Sequence, residues 1–152
     1  TDASRIPETA DENGFVQSVV PLTEGTAILL DTWGPDTHAG FFCIERQQWF
    51  DRKLNDAAGS VYVFMHHNPV PIGIAPMDQI MLQDADGFSQ IVSRHADKVR
   101  HIFHGHCHLP LAGSLNGVHL ALRAALIMRA GRILATKAIS LDRICQRVTR
   151  LC

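Results

Sequence analysis

The chain has 152 residues, a formal net charge of −1, and 46% hydrophobic and 19% charged residues. This length is enough for one domain with a hydrophobic core. The near-neutral charge excludes a strong general attraction to nucleic acid or to an anionic membrane, and no apolar run approaches the ~20 residues needed to cross a bilayer. The four cysteines form no C-x-x-C pair, which argues against a zinc ribbon or a disulfide framework and favours a reducing, cytoplasmic setting.

The first third of the chain predicts a β-hairpin followed by a helix. Two short strands, over 15–20 and 26–30, flank a turn that contains Pro21 and Gly25. Apolar residues at intervals of three and four then predict an amphipathic helix over 44–57.

The middle of the chain predicts an alternation of strands and helices. Apolar, β-branched runs predict buried strands over 61–65 and 99–103, and apolar spacing predicts a helix over 86–96 between them. A proline-containing loop over 66–83 is long enough to indicate a functional role. An Asn-Gly turn predicts a hairpin over 109–122. This order indicates α/β layering.

Histidines follow both buried strands. His66 and His67 come directly after the first strand, and His104, His106 and His108 end the second. Sites of open α/β sheets lie at the carboxyl ends of strands, and neutral imidazole is a common ligand of zinc and iron. We therefore predict a metal centre built from His66, His106 and His108.

The remaining histidines have plainer interpretations. His104 is as consistent with a buried strand position as with a ligand, and both interpretations stay open. The others are interpreted as surface residues or as satisfied core residues; they are His38, His95, His101 and His119. The carboxylates offer little more, because Asp31 is the one acidic residue at a predicted strand end.

The two histidine motifs resemble a known family. The octapeptide at 64–71, FMHHNPVP, the Met77-Asp78 pair, and the FHGHCH hexapeptide at 103–108 are together similar to the C-terminal half of calcineurin-like metallophosphoesterases. The subgroup they most resemble is the class III cyclic-nucleotide and glycerophosphodiester phosphodiesterases. The similarity extends over about residues 14–123.

This resemblance implies a four-layer α/β/β/α sandwich with a dinuclear metal site. His66 and His106 would bind one ion, and His108 the other, with iron, manganese, zinc or cobalt as candidates. The implied chemistry is attack of a metal-bound hydroxide on the phosphorus of a small phosphodiester, with the three histidines as the catalytic metal ligands. Further residues would line the substrate pocket; they are His67, Asn68, Pro71, Met77 and Asp78.

The family pattern is also incomplete in this chain. The DxH, GDxxD and GNHD/E motifs, which supply the bridging aspartate and an asparagine ligand, are absent. We therefore expect residues 1–123 to correspond to the C-terminal half of the family domain. We also expect this chain alone to be a poor catalyst, because it lacks the bridging aspartate. The alternative is an inactive module that binds at most one metal ion.

Residues 124–152 form a basic tail that does not match the family pattern. The tail carries six Lys or Arg residues and one acid, but it lacks the interleaved aromatic residues that stack on nucleobases, so a nucleic-acid function is a weaker hypothesis. The missing family motifs also predict exposed edges on the strands at 61–65 and 99–103, and hence self-association into homo-oligomers.

Overall fold

The computed structural model describes residues 10–122. The expected basic tail at 124–152 lies outside the described residues, and the division of the chain at residue 123 stays a prediction. Six strands and three helices make up the described part of the chain: β1 (Ser18–Leu22), β2 (Gly25–Leu29), α1 (Ile44–Asp56), β3 (Val61–Phe64), α2 (Ala75–Asp78), α3 (Ala85–Arg94), β4 (Val99–His104), β5 (Leu111–Leu115) and β6 (Val118–Leu122).

All strands belong to one mixed sheet with the order β1-β2-β3-β4-β6-β5. The four central strands, β2, β3, β4 and β6, run parallel to one another. The outer strands, β1 and β5, pair antiparallel through hairpins. The central parallel arrangement places the carboxyl ends of β2, β3 and β4 at the same edge of the sheet, which is where the histidine motifs follow.

The two longer helices cover one face of this sheet. Buried residues of β2, β3 and β4 such as Ile28, Val63 and Ile102 belong to the same core cluster as Phe50 of α1 and Phe88 of α3. The rings of Phe50 and Phe88 stack at a centroid distance of 5.5 Å. This cluster is the main core, and it fixes the helices against the strands that end in histidine.

The opposite face of the sheet carries a second, smaller apolar cluster. Phe64 of β3 and Phe103 of β4 stack there at 4.9 Å, beside the buried Ala27 and Leu29 of β2. No helix of residues 10–122 belongs to this cluster. The α/β class is therefore confirmed, and the described part of the chain supplies one sheet and one helical layer of the implied sandwich.

The prediction that β3 and β4 have exposed edges is wrong. β3 lies between β2 and β4, and β4 lies between β3 and β6, because the two predicted hairpins extend the sheet on both sides. Among the strands of residues 10–122, the edges belong to β1 and β5 instead. Within the described residues, no helix is long and apolar enough to cross a membrane.

Candidate metal centre

Parallel pairing of β3 and β4 brings the two histidine motifs together. Phe64 is in register with Phe103, and the hydrogen bonding continues past the strand ends: the Gly105 amide donates to the His66 carbonyl at 2.9 Å. Beyond this contact the chain turns sharply, with positive φ angles at His106 (72°) and His108 (53°). Positive φ is uncommon for residues other than glycine. The motif therefore holds His106 and His108 in a specific, uncommon backbone conformation.

The imidazoles of His66 and His106 face each other across this junction. Nε2 of His66 lies 3.1 Å from Nδ1 of His106, and ring nitrogens of these two residues and of His67 all lie within 4.8 Å of one another. Burial is the main cause that lowers the pKa of His66 to about 4, followed by the neighbouring His106 and His108. Burial and nearby histidines also lower the pKa of His106. Both rings are therefore neutral at pH 7, the form that binds metal.

His67 is held by contacts on both ring nitrogens. Its Nε2 donates to the carbonyl of His38 at 3.2 Å, and its Nδ1 accepts from the Thr32 hydroxyl at 2.8 Å. This pattern assigns the Nε2–H tautomer, since a carbonyl can only accept. Burial, then His66 and His106, lower the pKa of His67 to about 3. With both nitrogens engaged, His67 is a less available ligand than His66 or His106, although it lies in the same cluster.

The donor chemistry of this cluster fits a metal ion. Two neutral imidazole nitrogens 3.1 Å apart are close enough to share one ion at the usual nitrogen–metal distance of about 2.0–2.1 Å. The other ring nitrogen of His106, Nε2, is buried and has no hydrogen-bond partner among the described residues. No carboxylate belongs to the cluster within residues 10–122, so the described residues offer no bridging group for a second ion.

The other predicted ligand, His108, is exposed and lies outside this cluster. It is nevertheless near, because it lowers the pKa of both His66 and His106. His104 is buried on the strand, and its Nδ1 has no hydrogen-bond partner among the described residues. Burial lowers the pKa of His104 to about 4.

The predicted pocket residue Asn68 is fully buried. Its side-chain amide donates to the carbonyl of Val70 at 2.9 Å, and its oxygen accepts from the Cys107 thiol at 3.4 Å. The pKa of that thiol is raised by burial and by the nearby Asp78, so it stays protonated and can donate. Asn68 thus ties the two histidine motifs to each other.

The remaining pocket candidates lie on the loop between β3 and α3. Asp78 accepts hydrogen bonds from the Ile72 and Gly73 amides at 2.7 and 3.1 Å, which closes the loop on itself. Met77 is half-buried in α2, and Pro71 is exposed. Their contact with a substrate stays a prediction.

Sequence reasoning missed the support that β2 and the following loop give to His67. Thr32 follows β2 and contacts His67 directly, and an added Cβ on Gly40 would lie 2.5 Å from the His67 ring. The sequence signals for this support are Thr32 and Gly40, which both lie within the part of the chain that resembles the family, at about residues 14–123. The strand-end Asp31 instead accepts from two backbone amides and lies 3.5 Å from the buried Arg46, so it organises the loop.

Comparison with known proteins supports this picture. No family model matches the chain. It is 31% identical over 120 residues to a probable cyclic nucleotide phosphodiesterase of Rhodopseudomonas palustris, covering 76% of this chain and 43% of that protein. It is 41% identical over 61 residues to the glycerophosphodiester phosphodiesterase GpdQ of Enterobacter lignolyticus, covering 40% of this chain and 22% of that protein.

A solved structure shows the same fold. The crystal structure of a dimetal phosphatase from Danio rerio superposes with a TM-score of 0.60 at 14% identity, over 72% of this chain and 49% of that one. The sequence relatives, the fold and the histidine cluster together support the resemblance of the chain to part of a calcineurin-like metallophosphoesterase. Its sequence is similar to parts of a probable cyclic nucleotide phosphodiesterase and of a glycerophosphodiester phosphodiesterase. The chain spans less than half the length of the curated relatives it matches.

Proposed function

We propose that this chain contributes to a metal-dependent hydrolase of small phosphodiesters, of the cyclic-nucleotide or glycerophosphodiester type. The observation that carries the proposal is the approach of His66 Nε2 to His106 Nδ1 at 3.1 Å, at the carboxyl ends of adjacent parallel strands. The names of the relatives, a probable cyclic nucleotide phosphodiesterase and a glycerophosphodiester phosphodiesterase, support the substrate class.

In this proposal His66 and His106 hold one divalent ion, and His108 would contribute to holding a second ion in a complete site that has the bridging carboxylate. When bound, the ions supply the nucleophile and offset the charge on the phosphate oxygens. Other residues of this chain hold the histidine motifs in place. Thr32 and the His38 carbonyl fix the orientation of the His67 ring. Asn68 fixes the two motifs relative to each other through its hydrogen bond with Cys107. A contact between His67 and the substrate stays a prediction, and it would require one of the two hydrogen bonds of its ring to give way.

Metal titration of the chain tests the histidine pair. Cobalt binding, followed by visible absorption, is expected to weaken at least tenfold in His106→Ala, because one of the two converging ligands is removed. His119→Ala is the matched control, since His119 is exposed on β6 and outside the cluster. An equal loss of cobalt affinity in both variants would indicate that surface histidines bind the ion, and it would contradict the proposed centre.

Hydrolysis of bis(p-nitrophenyl) phosphate tests whether the chain works alone. Without a bridging carboxylate, mutual repulsion opposes the binding of two divalent ions. We expect about one bound ion per chain and little turnover, which is the behaviour of the alternative, an incomplete metal-binding module. Two ions per chain with turnover that His106→Ala abolishes would contradict this expectation and indicate a complete centre.

A further inference from the structure

The loop between β2 and α1 packs directly on the histidine cluster. The carbonyl of His38 accepts a hydrogen bond from Nε2 of His67 at 3.2 Å, and a Cβ added on Gly40 would lie 2.5 Å from the His67 ring. The centroids of the His67 and His106 rings are in turn 4.7 Å apart. Only the ring of His67 therefore separates the backbone of His38 from His106.

Backbone hydrogen bonds hold this part of the loop in place. The Phe41 amide donates to the Thr32 carbonyl at 3.0 Å, which closes the loop at its base. The Gly40 amide donates to the Met81 carbonyl at 3.2 Å, and the Gln83 amide donates to the Gly40 carbonyl at 2.9 Å. The loop backbone is thus fixed by β2 on one side and by the segment before α3 on the other. A side chain of this loop can bind at the cluster without the entropic cost of ordering the backbone.

The imidazole of His38 is exposed, and within residues 10–122 the hydrogen bonding of His38 is confined to its carbonyl. Its ring nitrogens lie outside the set that meets within 4.8 Å. The ring is nevertheless near, since His38 contributes, after burial and His108, to lowering the pKa of His106. An exposed side chain can change from one staggered rotamer to another, so a rotation of His38 can turn its ring toward His106.

The pair of His66 and His106 leaves a bound ion short of ligands. Zinc takes four ligands, and its catalytic sites use three protein ligands with one position open for water. Within the cluster, His67 has both ring nitrogens engaged, and no carboxylate belongs to it among the described residues. A third ligand has to come from a neighbouring side chain. His108 and His38 are both near, and the proposed function assigns His108 to a second ion.

We propose that the imidazole of His38 is the third protein ligand of the ion held by His66 and His106. The inference rests on the proposed function, because it adds a residue to the same metal centre. Three imidazoles and one open position would form a mononuclear site within this chain. Such a site does not depend on the bridging carboxylate that a second ion requires.

Removal of the imidazole measures its contribution to metal binding. His38→Ala keeps the carbonyl that accepts from His67, so the contact between the loop and the cluster remains. Loss of a residue that only supports a ligand costs about 10–100-fold in metal affinity, so we expect His38→Ala to weaken cobalt binding by about tenfold or more. The visible absorption per bound cobalt ion is also expected to change, because water replaces the lost imidazole.

His119→Ala is the matched control for this measurement, since His119 is an exposed histidine on β6, outside the cluster. A thermal melt of each metal-free variant shows that it is folded. Wild-type cobalt affinity and absorption in a folded His38→Ala variant would overturn the proposal.

A thiol at position 38 tests direct contact with the ion. In cobalt-loaded His38→Cys, a coordinating thiolate is expected to add a sulfur-to-cobalt charge-transfer band in the near ultraviolet. His119→Cys is the matched control, and the wild-type spectrum, which includes the native cysteines, is subtracted from both. A new band in His38→Cys alone supports the proposal. No new band, or an equal band in both variants, counts against direct ligation by residue 38 and overturns it.

His106→Ala separates this inference from the proposed function. If His106→Ala loses cobalt affinity while His38→Ala does not, the histidine pair stands as the metal centre and the role of His38 is overturned. If neither variant differs from His119→Ala, the metal centre itself fails and the role of His38 fails with it. Loss of affinity in both variants, with His119→Ala unchanged, supports both the centre and its third ligand.

Discussion

Thr32 shows how a single hydroxyl positions a residue of the candidate site. Its hydroxyl donates to Nδ1 of His67 at 2.8 Å inside a buried region. In Thr32→Val that nitrogen loses its donor while remaining buried, so we expect a loss of about 1–3 kcal/mol in the free energy of unfolding. Urea denaturation measures this loss. Thr32→Ser keeps the hydroxyl and is the matched control; a Val variant as stable as the Ser variant would contradict the assigned role.

At the level of single residues, the sequence predicted that His66 and His106 meet, but it placed His108 with them where the structure has His67, and it did not predict what holds them. His66 and His106 come together because each follows a strand, and that position could be read from apolar runs. The contact between Thr32 and His67 depends on β2 lying beside β3, with Leu29 in register with Phe64. No local pattern encodes that neighbour relation. The burial of Asn68 was missed for a similar reason, since its partner Cys107 lies 39 positions away.

The packing of α1 against α3 includes an ionic contact that can be tested by pH. Asp51 of α1 lies 2.9 Å from His95 Nε2 and 3.1 Å from Arg94, at the end of α3. Burial raises the pKa of the Asp51 carboxyl, but the hydrogen bonds from His95 and Arg94 outweigh burial, and the pKa is lowered from 3.8. A carboxyl with a lowered pKa stabilises the fold above its unfolded pKa, and this contribution is lost as the pH falls through the folded value.

We therefore expect Asp51→Asn to lower the free energy of unfolding by about 0.5–1 kcal/mol at pH 6, since the contact is partly exposed. The difference from the wild type should shrink below the unfolded pKa of 3.8. Urea denaturation at a series of pH values measures it. Asp56→Asn, on an exposed position of the same helix with no hydrogen bond to another described side chain, is the control. A difference that persists unchanged at low pH would show that the effect is steric.

At the level of elements, the pattern of apolar residues predicted most of the structure. The helices predicted over 44–57 and 86–96 and the strands over 61–65 and 99–103 are present with small shifts at their ends. The Asn116-Gly117 turn has positive φ at both residues, 52° and 82°, as the favoured hairpin turn requires. The short helix α2 was missed, because four residues carry no periodicity and its stability comes from the surrounding loop.

At the level of the whole molecule, the edge strand β5 is the place where two copies can pair. Its sequence has no proline and no charged residue, whereas the other edge strand, β1, carries Pro21. Edge strands without such protection tend to pair with another chain. We expect concentration-dependent self-association in light scattering, and we expect Ala112→Lys to reduce it. A wild-type chain that stays monomeric at all concentrations would contradict this prediction, which replaces the edges first expected on β3 and β4.

The separation of His66 and His106 has a consequence for how the molecule forms over time. The two ligands are 40 positions apart, and the chain between them is the crossover from β3 through α3 to β4. During synthesis neither histidine has its partner until this crossover has closed, so capture of an ion by both rings is a late event in folding. Once held by both rings, an ion would have to be released from one of them before β4 could leave β3. Bound metal would therefore lengthen the lifetime of the folded chain as well as raise its equilibrium stability.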